Sequence, residues 1–306
     1  MISSPTVWFG SLSPWAKSAR QLSPRAWTAL GLLAIPLWAT WPALALRALS
    51  IPAFECLTIA FLFGWLVLTR LEKASPSESS GFTGLLSWVP AVACALGLTG
   101  SNAFHILATH YIPAAEANLI SYLWPVEIIA LGAALRLFRL RLRHLVGLAL
   151  GFAGTVMLIG GGQLSLSTTG VTLAFISGIT WASYCTFRLI WKPAPTQVLQ
   201  RGCAISTALC AVLHFAIEPT VMPDLGALAT SAAVGIVPLA LGNLVWDEGF
   251  RRGDAQLLAV MAYATPLCSA LLLVALGLES LTRGLFVGAI LIVVAGCLSH
   301  NRSTAP

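Results

Sequence analysis

The sequence predicts an all-α integral membrane protein: ten transmembrane helices in two inverted five-helix repeats, with both termini cytoplasmic. Three observations predict it. Hydrophobic residues make up 58% of the 306 and charged residues 9%, roughly a third of the charge a soluble domain carries. Of the 17 Lys and Arg, all but Arg47 and Arg283 fall on one side once the N-terminus is placed in the cytoplasm, as the positive-inside rule requires. The chain also repeats itself: Asn102 and Asn243, Ala114 and Ala255, Tyr122 and Tyr263, Pro125 and Pro266, and Gly147 and Gly288 are each 141 residues apart. Five helices is an odd number, so the second copy enters the membrane from the opposite side, about a pseudo-axis in the membrane plane.

In chain order, residues 1–25 hold Pro5, Pro14 and Pro24 and no continuous apolar core, unlike a cleaved signal peptide. They read as a cytoplasmic arm able to lie on the membrane through Trp8, Phe9 and Trp15. The first repeat, 26–162, has apolar stretches at about 27–46, 51–69, 85–109, 114–135 and 144–160. The second, 163–300, has them at about 169–190, 202–217, 226–246, 255–276 and 284–299, and 301–306 form a cytoplasmic tail. Each stretch is read as crossing a hydrocarbon layer of roughly 30 Å.

The first stretch carries Trp38-Ala39-Thr40-Trp41 and the sixth carries Trp181-Ala182-Ser183-Tyr184, 143 residues further on. Both Trp38 and Trp181 lie about 18 Å from opposite surfaces, near the midplane. Tyr122 and Tyr263 lie about 12 Å from opposite surfaces by the same rise. Aromatic belts sit at the interfaces, so these four are not belt residues. A phenol in hydrocarbon wants a hydrogen-bond partner, which a wet cavity, a substrate or a neighbouring carbonyl would supply, and Tyr184 is placed equally deep.

The fourth and ninth stretches are interrupted at matching places, NLISYLWPVE from Asn118 to Glu127 and LAVMAYATP from Leu258 to Pro266. Proline inside a membrane helix frees a carbonyl and kinks the span. Paired interruptions in two halves mark a transporter's substrate site, and Pro125 and Pro266 are the expected hinges. The plainer reading makes both prolines packing kinks. Glu127 is the acid set well inside a span, a possible proton or amine site, or a neutral structural carboxyl. Glu116 in the first turn of its helix suits the helix dipole, and Asp247 and Glu248 read as solvated ion pairs with Arg251 and Arg252.

Other features have simpler explanations. Gly147-x3-Gly151 and Gly284-x3-Gly288 let helices approach closely. Gly160-Gly161-Gly162 ends a helix, since no Lys-Ser/Thr follows it as in a phosphate loop. Seven scattered cysteines without a CxxC pair read as small buried hydrophobes. His105 and His110, five apart, face different sides of a helix and make poor metal ligands. No catalytic or nucleotide-binding motif occurs, so neither an enzyme, a cofactor nor a metal site is expected.

On these residues the chain resembles the drug/metabolite transporter superfamily, in its ten-helix two-repeat branch, and within it the bacterial aromatic amino-acid exporters. The resemblance runs from about Trp27 to His300. It rests on Trp38 in LWAT, on Ser121-Tyr122-Leu123-Trp124-Pro125 preceded by Glu116, on Trp181-Ala182-Ser183-Tyr184-Cys185 and on Tyr263-Ala264-Thr265-Pro266. It implies a multi-pass inner-membrane exporter with a central cavity lined by these aromatics, passing aromatic amino acids and similar amphipathic molecules. The substrate-binding set expected is Trp38, Asn102, Tyr122, Trp124, Trp181, Tyr184, Asn243 and Tyr263. Ser121 stands where the motif usually has asparagine, and Glu127 is no part of the pattern.

The alternatives are a broad-specificity drug or metabolite exporter and a channel-like pore. A sugar-phosphate exchanger should place Lys or Arg near the midplane, and Arg188, close to the cytoplasmic end of its helix, is the nearest. The net charge of +6 is an orientation signal, so no nucleic acid is expected. The partners read are the lipid bilayer and a small-molecule substrate, with the chain taken as a monomer.

Overall fold

The computed structural model describes residues 22–45, 50–74, 84–137, 139, 141–159, 167–191, 195–278, 280 and 282–299, and among these every regular element is helical. Eight segments are long and apolar enough to cross a membrane, and two shorter apolar helices accompany them. In chain order they are α1 (Pro24–Leu44), α2 (Ala53–Ala74), α3 (Val89–Ala108), α4 (Ala114–Ser121, then Trp124–Ala134), α5 (Leu142–Ile159), α6 (Thr168–Ile190), α7 (Pro195–Ile217), α8 (Leu225–Arg252), α9 (Ala255–Met261, then Ala264–Ala275) and α10 (Arg283–Ser299). The expected arm as far as residue 21, the Gly160–Gly162 loop and the 301–306 tail lie outside the described residues.

α7 and α8 outrun their apolar stretches most. α7 begins at Pro195 because its polar first turns find partners: Gln200 Nε2 donates to Thr69 Oγ1 at 3.1 Å, and the Arg201 guanidinium lies 4.6 Å over the Trp88 ring. α8 continues through Asp247 and Glu248 to Arg252 because both acids are paired, as described below.

Prolines set the breaks. In α4, Pro125 cannot donate to Ser121, and the chain tightens there, with Leu123 N donating to Ile120 O at 3.0 Å. In α9 the matching turn has Tyr263 N on Val260 O at 3.3 Å and Thr265 N on Ala262 O at 3.0 Å. α1 is broken at Leu33 and Thr40, around Pro36, and the Thr40 hydroxyl covers the Leu37 carbonyl at 2.7 Å. A break absent from the sequence reading lies in α8, where Gly235–Gly242 winds as a π-helix around Pro238. A side chain at Gly235 would run into the Ala60 carbonyl, so glycine lets α8 press on α2.

The helices pack as two triplets, α3 and α4 against α6, and α8 and α9 against α1. Each triplet becomes the other when the halves are exchanged. Outside them α2 packs on α7 and α5 on α10. At the α5–α10 contact a Cβ on Gly154 would come 2.9 Å from the Gly288 carbonyl oxygen, so glycine permits the close approach there. The Glu218 carboxylate ties α7 to α2, accepting from Phe54 N at 3.0 Å, and His214 Nδ1 holds the same carboxylate at 3.0 Å. Apolar side chains such as Leu96, Val212, Phe215, Phe286 and Ile290 cover the outside, as a lipid-facing surface requires. Cysteines 94, 185, 203 and 210 are buried, whereas Cys297 is exposed on this outer surface, unlike the buried role expected of it.

Candidate functional site

A cavity of about 770 Å³ lies between the two triplets. Its walls come from the end of α1, the start of α2, the second halves of α3 and α9, the first halves of α4 and α6, and the middle of α8. All of these lie toward the end of the bundle where α1 finishes and α2 begins. Among the described residues, no Asp, Glu, Lys or Arg lines it. The contribution of α2, through Cys56 and Leu57, has no signal in the sequence, because neither carries a polar or aromatic mark.

Tryptophans floor the cavity. Trp38 meets Trp124 and Trp181 edge-on, each at 6.2 Å between ring centres, so α1 touches α4 and α6 through aromatic rings. Such edge-to-face pairs are worth about 0.5–1.5 kcal/mol beyond area burial. Below them Trp246 of α8 lies 5.0 Å from Trp38 and 5.6 Å from Trp124, and stacks on Phe250 at 5.2 Å. Trp38 is oriented by its Nε1, which donates to Asn243 Oδ1 at 3.1 Å. The equivalent pair in the other half is not joined in this way: Asn102 Nδ2 donates to the Leu98 carbonyl of its own helix at 2.7 Å.

Among the residues marked by the sequence, Trp38, Asn102, Tyr122, Trp124, Trp181, Asn243 and Pro266 line the cavity. Three aromatic or acidic ones do not. Tyr263, 0% exposed, sits on the turn of α9 and points away, against Gly151 and the Phe152 ring. The turn explains this, because it re-aims the side chain that a straight helix would set above Pro266. Tyr184 lies one turn below Trp181, its ring tilted against it at 5.5 Å, and packs on Gly97. Glu127 is buried at the α4–α6 contact, where a Cβ on Gly178 would come 2.8 Å from its Oε2, and neither carboxyl oxygen has a partner. Pro125 is buried as well, behind the cavity wall.

Two participants escaped the sequence reading. Trp246 stands where the other half has His105, at the same 141-residue offset, and that offset was the signal that could have found both. His105 lines the cavity and its Nδ1 lies 3.2 Å from Ser121 Oγ.

The far end of the bundle is shut by charge. Arg188 of α6 and Asp247 of α8 form a bidentate pair, Nε to Oδ1 at 2.7 Å and Nη2 to Oδ2 at 2.5 Å, with side chains 1% and 5% exposed. Asp247 is therefore no solvated partner of Arg251 or Arg252. It faces inward with Trp246 and Phe250, where only a cation brought from another helix can offset its desolvation. Glu248 takes Arg251 at 3.2 Å and Arg252 at 2.7 Å, as expected from the sequence. Because α6 and α8 belong to different triplets, the Arg188–Asp247 pair crosses the boundary that the cavity opens at the other end.

With this geometry in view, the chain can be set beside known proteins. The profile of the EamA-like transporter family matches residues 25–160 and again 168–299. An aromatic amino acid exporter of Ancylobacter novellus, YddG, is 32% identical over 87% of this chain and 94% of its own length. The exporter of that name from Salmonella typhimurium is 25% identical over 89% and 95%. An inner membrane transporter of Escherichia coli, YedA, described as uncharacterised, is 26% identical over 84% and 83%. A crystal structure 31% identical in sequence superposes with a TM-score of 0.82 over 90% of this chain and 96% of that one.

Proposed function

This chain belongs to the EamA-like transporter family, and we propose that it exports aromatic amino acids and similar amphipathic molecules across the bacterial inner membrane by alternating access. The observation that carries the reading is the uncharged cavity floored by Trp38, Trp124 and Trp181 between two interchangeable helix triplets. Aromatic walls favour a planar apolar body, and a site without a fixed charge suits a molecule of zero net charge. The exporters named among the relatives support the substrate class.

In this reading all ten helices cross the membrane as two inverted repeats, 26–162 and 163–300, with the arm 1–25, the tail 301–306 and both termini cytoplasmic. The double family match supports that division, and the placement of Lys and Arg supports the orientation. The cavity then faces outward, and the Arg188–Asp247 pair and Trp246 close the cytoplasmic side. Export proceeds when the triplets rock so that this pair parts and the opposite ends meet. Pro125 and Pro266, one in each triplet, are the hinges, since each removes a backbone bond that bending would otherwise break. Tyr184 and Tyr263 support the floor from behind in this state, and Tyr122 contacts substrate directly.

Glu127 serves as a proton carrier in this scheme rather than the amine partner, because its carboxyl lies behind Gly178 and outside the cavity lining. Uptake of labelled tryptophan into proteoliposomes, with and without a pH gradient, tests both parts. Uptake by the protein establishes the substrate, and acceleration by the gradient that Glu127→Gln abolishes establishes the carrier. Absence of protein-dependent uptake of any aromatic amino acid would overturn the assignment.

A further inference from the structure

The part of the cavity wall that surrounds His105, built from Ser101, Asn102, Ser121 and Ser177, has a one-sided hydrogen-bonding character. A hydroxyl has one proton, and three of the four serines that line the cavity, those on α3, α4 and α6, spend it on main-chain carbonyls. Ser101 donates to Leu98 O at 3.1 Å, Ser121 to Ala174 O at 3.1 Å and Ser177 to Ser101 O at 2.8 Å. Asn102 uses its amide N–H on Leu98 O at 2.7 Å, which leaves its Oδ1 for the cavity. What these four groups present inward is lone pairs.

The tautomer of His105 follows from the same accounting. A carbonyl only accepts, so the Ser121 proton goes to Ala174, and the 3.2 Å contact between Ser121 Oγ and His105 Nδ1 requires the imidazole to donate. With Nδ1 carrying the hydrogen, neutral His105 offers Nε2 as an acceptor, and this atom has no partner among the described residues. Five acceptors thus line one wall without a carboxylate among them. Their counterpart is a group with several N–H donors and a positive charge, which a purely apolar molecule, or one whose only charged group is a carboxylate, cannot supply.

We infer that His105, backed by Ser101, Asn102, Ser121 and Ser177, recognises the α-ammonium group of the substrate. The inference rests on the proposed substrate class and fixes how such a molecule lies. Trp124 is three residues along α4 from Ser121, about 4.5 Å of helix rise, so the ring rests against the tryptophans while its amine sits one turn away at Nε2. The same position in the other half, Trp246, is apolar and belongs to the floor. The acceptor wall therefore belongs to one triplet, α3, α4 and α6, and the substrate has one orientation in this state.

The test compares three unlabelled competitors of labelled tryptophan exchange in proteoliposomes: tryptophan, tryptamine, which lacks the carboxylate, and indole-3-propionate, which lacks the ammonium. In the wild type, tryptophan and tryptamine should compete and indole-3-propionate should do so far less. A hydrogen bond to a charged group corresponds to about ten- to hundredfold in affinity, so His105→Ala should weaken tryptophan and tryptamine by that factor and leave indole-3-propionate unchanged. His105→Gln, which keeps an acceptor at the reach of Nε2, should restore most of the preference. Ser121→Ala, which frees the imidazole, should lower it several-fold and carries the test if His105→Ala does not fold. Equal weakening of all three competitors would make His105 structural, and a wild type indifferent to the ammonium would end the inference while leaving tryptophan export intact. Failure of the wild type to exchange tryptophan at all would overturn the export reading and this inference together.

Discussion

Removing one partner of the Arg188–Asp247 pair should open the closed end of the bundle. The two side chains are 1% and 5% exposed and bonded twice, so Asp247→Asn leaves a buried guanidinium without a counter-charge. The cost of such a loss is about 3–5 kcal/mol. That penalty falls on the closed arrangement alone, because water reaching Arg188 in the opened one would relieve it. Two access states typically differ by a few kcal/mol, and each 1.4 kcal/mol is tenfold, so the ratio should shift by two orders of magnitude or more. Two native cysteines report it. Cys185 is 2% exposed beside Tyr184 on the closed side, and Cys56 lines the cavity. In variants that retain one of the two and no other cysteine, an impermeant maleimide should label Cys56 in the parent and spare Cys185. Asp247→Asn should raise Cys185 labelling at least tenfold and lower that of Cys56. The double change Arg188→Leu with Asp247→Leu should fall back toward the parent, since no orphan charge remains. Unchanged Cys185 labelling in a monodisperse Asp247→Asn protein would refute the claim that this pair holds the end shut.

Trp181→Ala and Tyr122→Ala should each raise the half-saturating concentration of tryptophan several-fold with little loss of folded protein, from about 0.5–1.5 kcal/mol of aromatic contact; unchanged transport by both would remove them from the site. Pro125→Ala and Pro266→Ala should move Cys56 labelling in opposite directions, because the two helices belong to opposite triplets, and an unaltered pattern in both would make the prolines packing kinks. Gly249→Ala should cost about 1–3 kcal/mol in unfolding stability in detergent, since a Cβ there would press on the Gly31 backbone and lie 2.8 Å from Trp27 O; a wild-type melting midpoint would mean that α1 and α8 are not so close.

Much of the architecture was legible because the bilayer imposes it. Apolar length marks the spans, and the tandem offset of 141 residues correctly paired the breaks at Tyr122–Pro125 and Tyr263–Pro266. The direction of side chains near those breaks was not legible. Depth places Tyr263 at the midplane, but the turn rotates it toward Gly151, and rise per residue carries no information about rotation. Asp247 was misread because a neighbouring Arg251 is visible in the sequence, whereas Arg188 becomes its partner only when α6 and α8 meet. Trp246 and His105 were passed over for a related reason: each matches the other by offset, yet one is aromatic and one basic, so identity-based pairing skipped them. The π-helical stretch around Pro238 left no periodic trace, since an all-apolar run hides its own phase.

The central claim is that this protein is a carrier whose tryptophan-floored cavity takes aromatic amino acids by turns from each side. Counterflow measures it most directly: proteoliposomes loaded with excess unlabelled tryptophan are diluted into a trace of labelled tryptophan. A carrier exchanges one for the other, so label should accumulate transiently above its outside concentration, and Trp38→Ala, which removes the ring joining both triplets, should abolish the overshoot. Label that only equilibrates, or an overshoot untouched by Trp38→Ala in folded protein, would contradict the account.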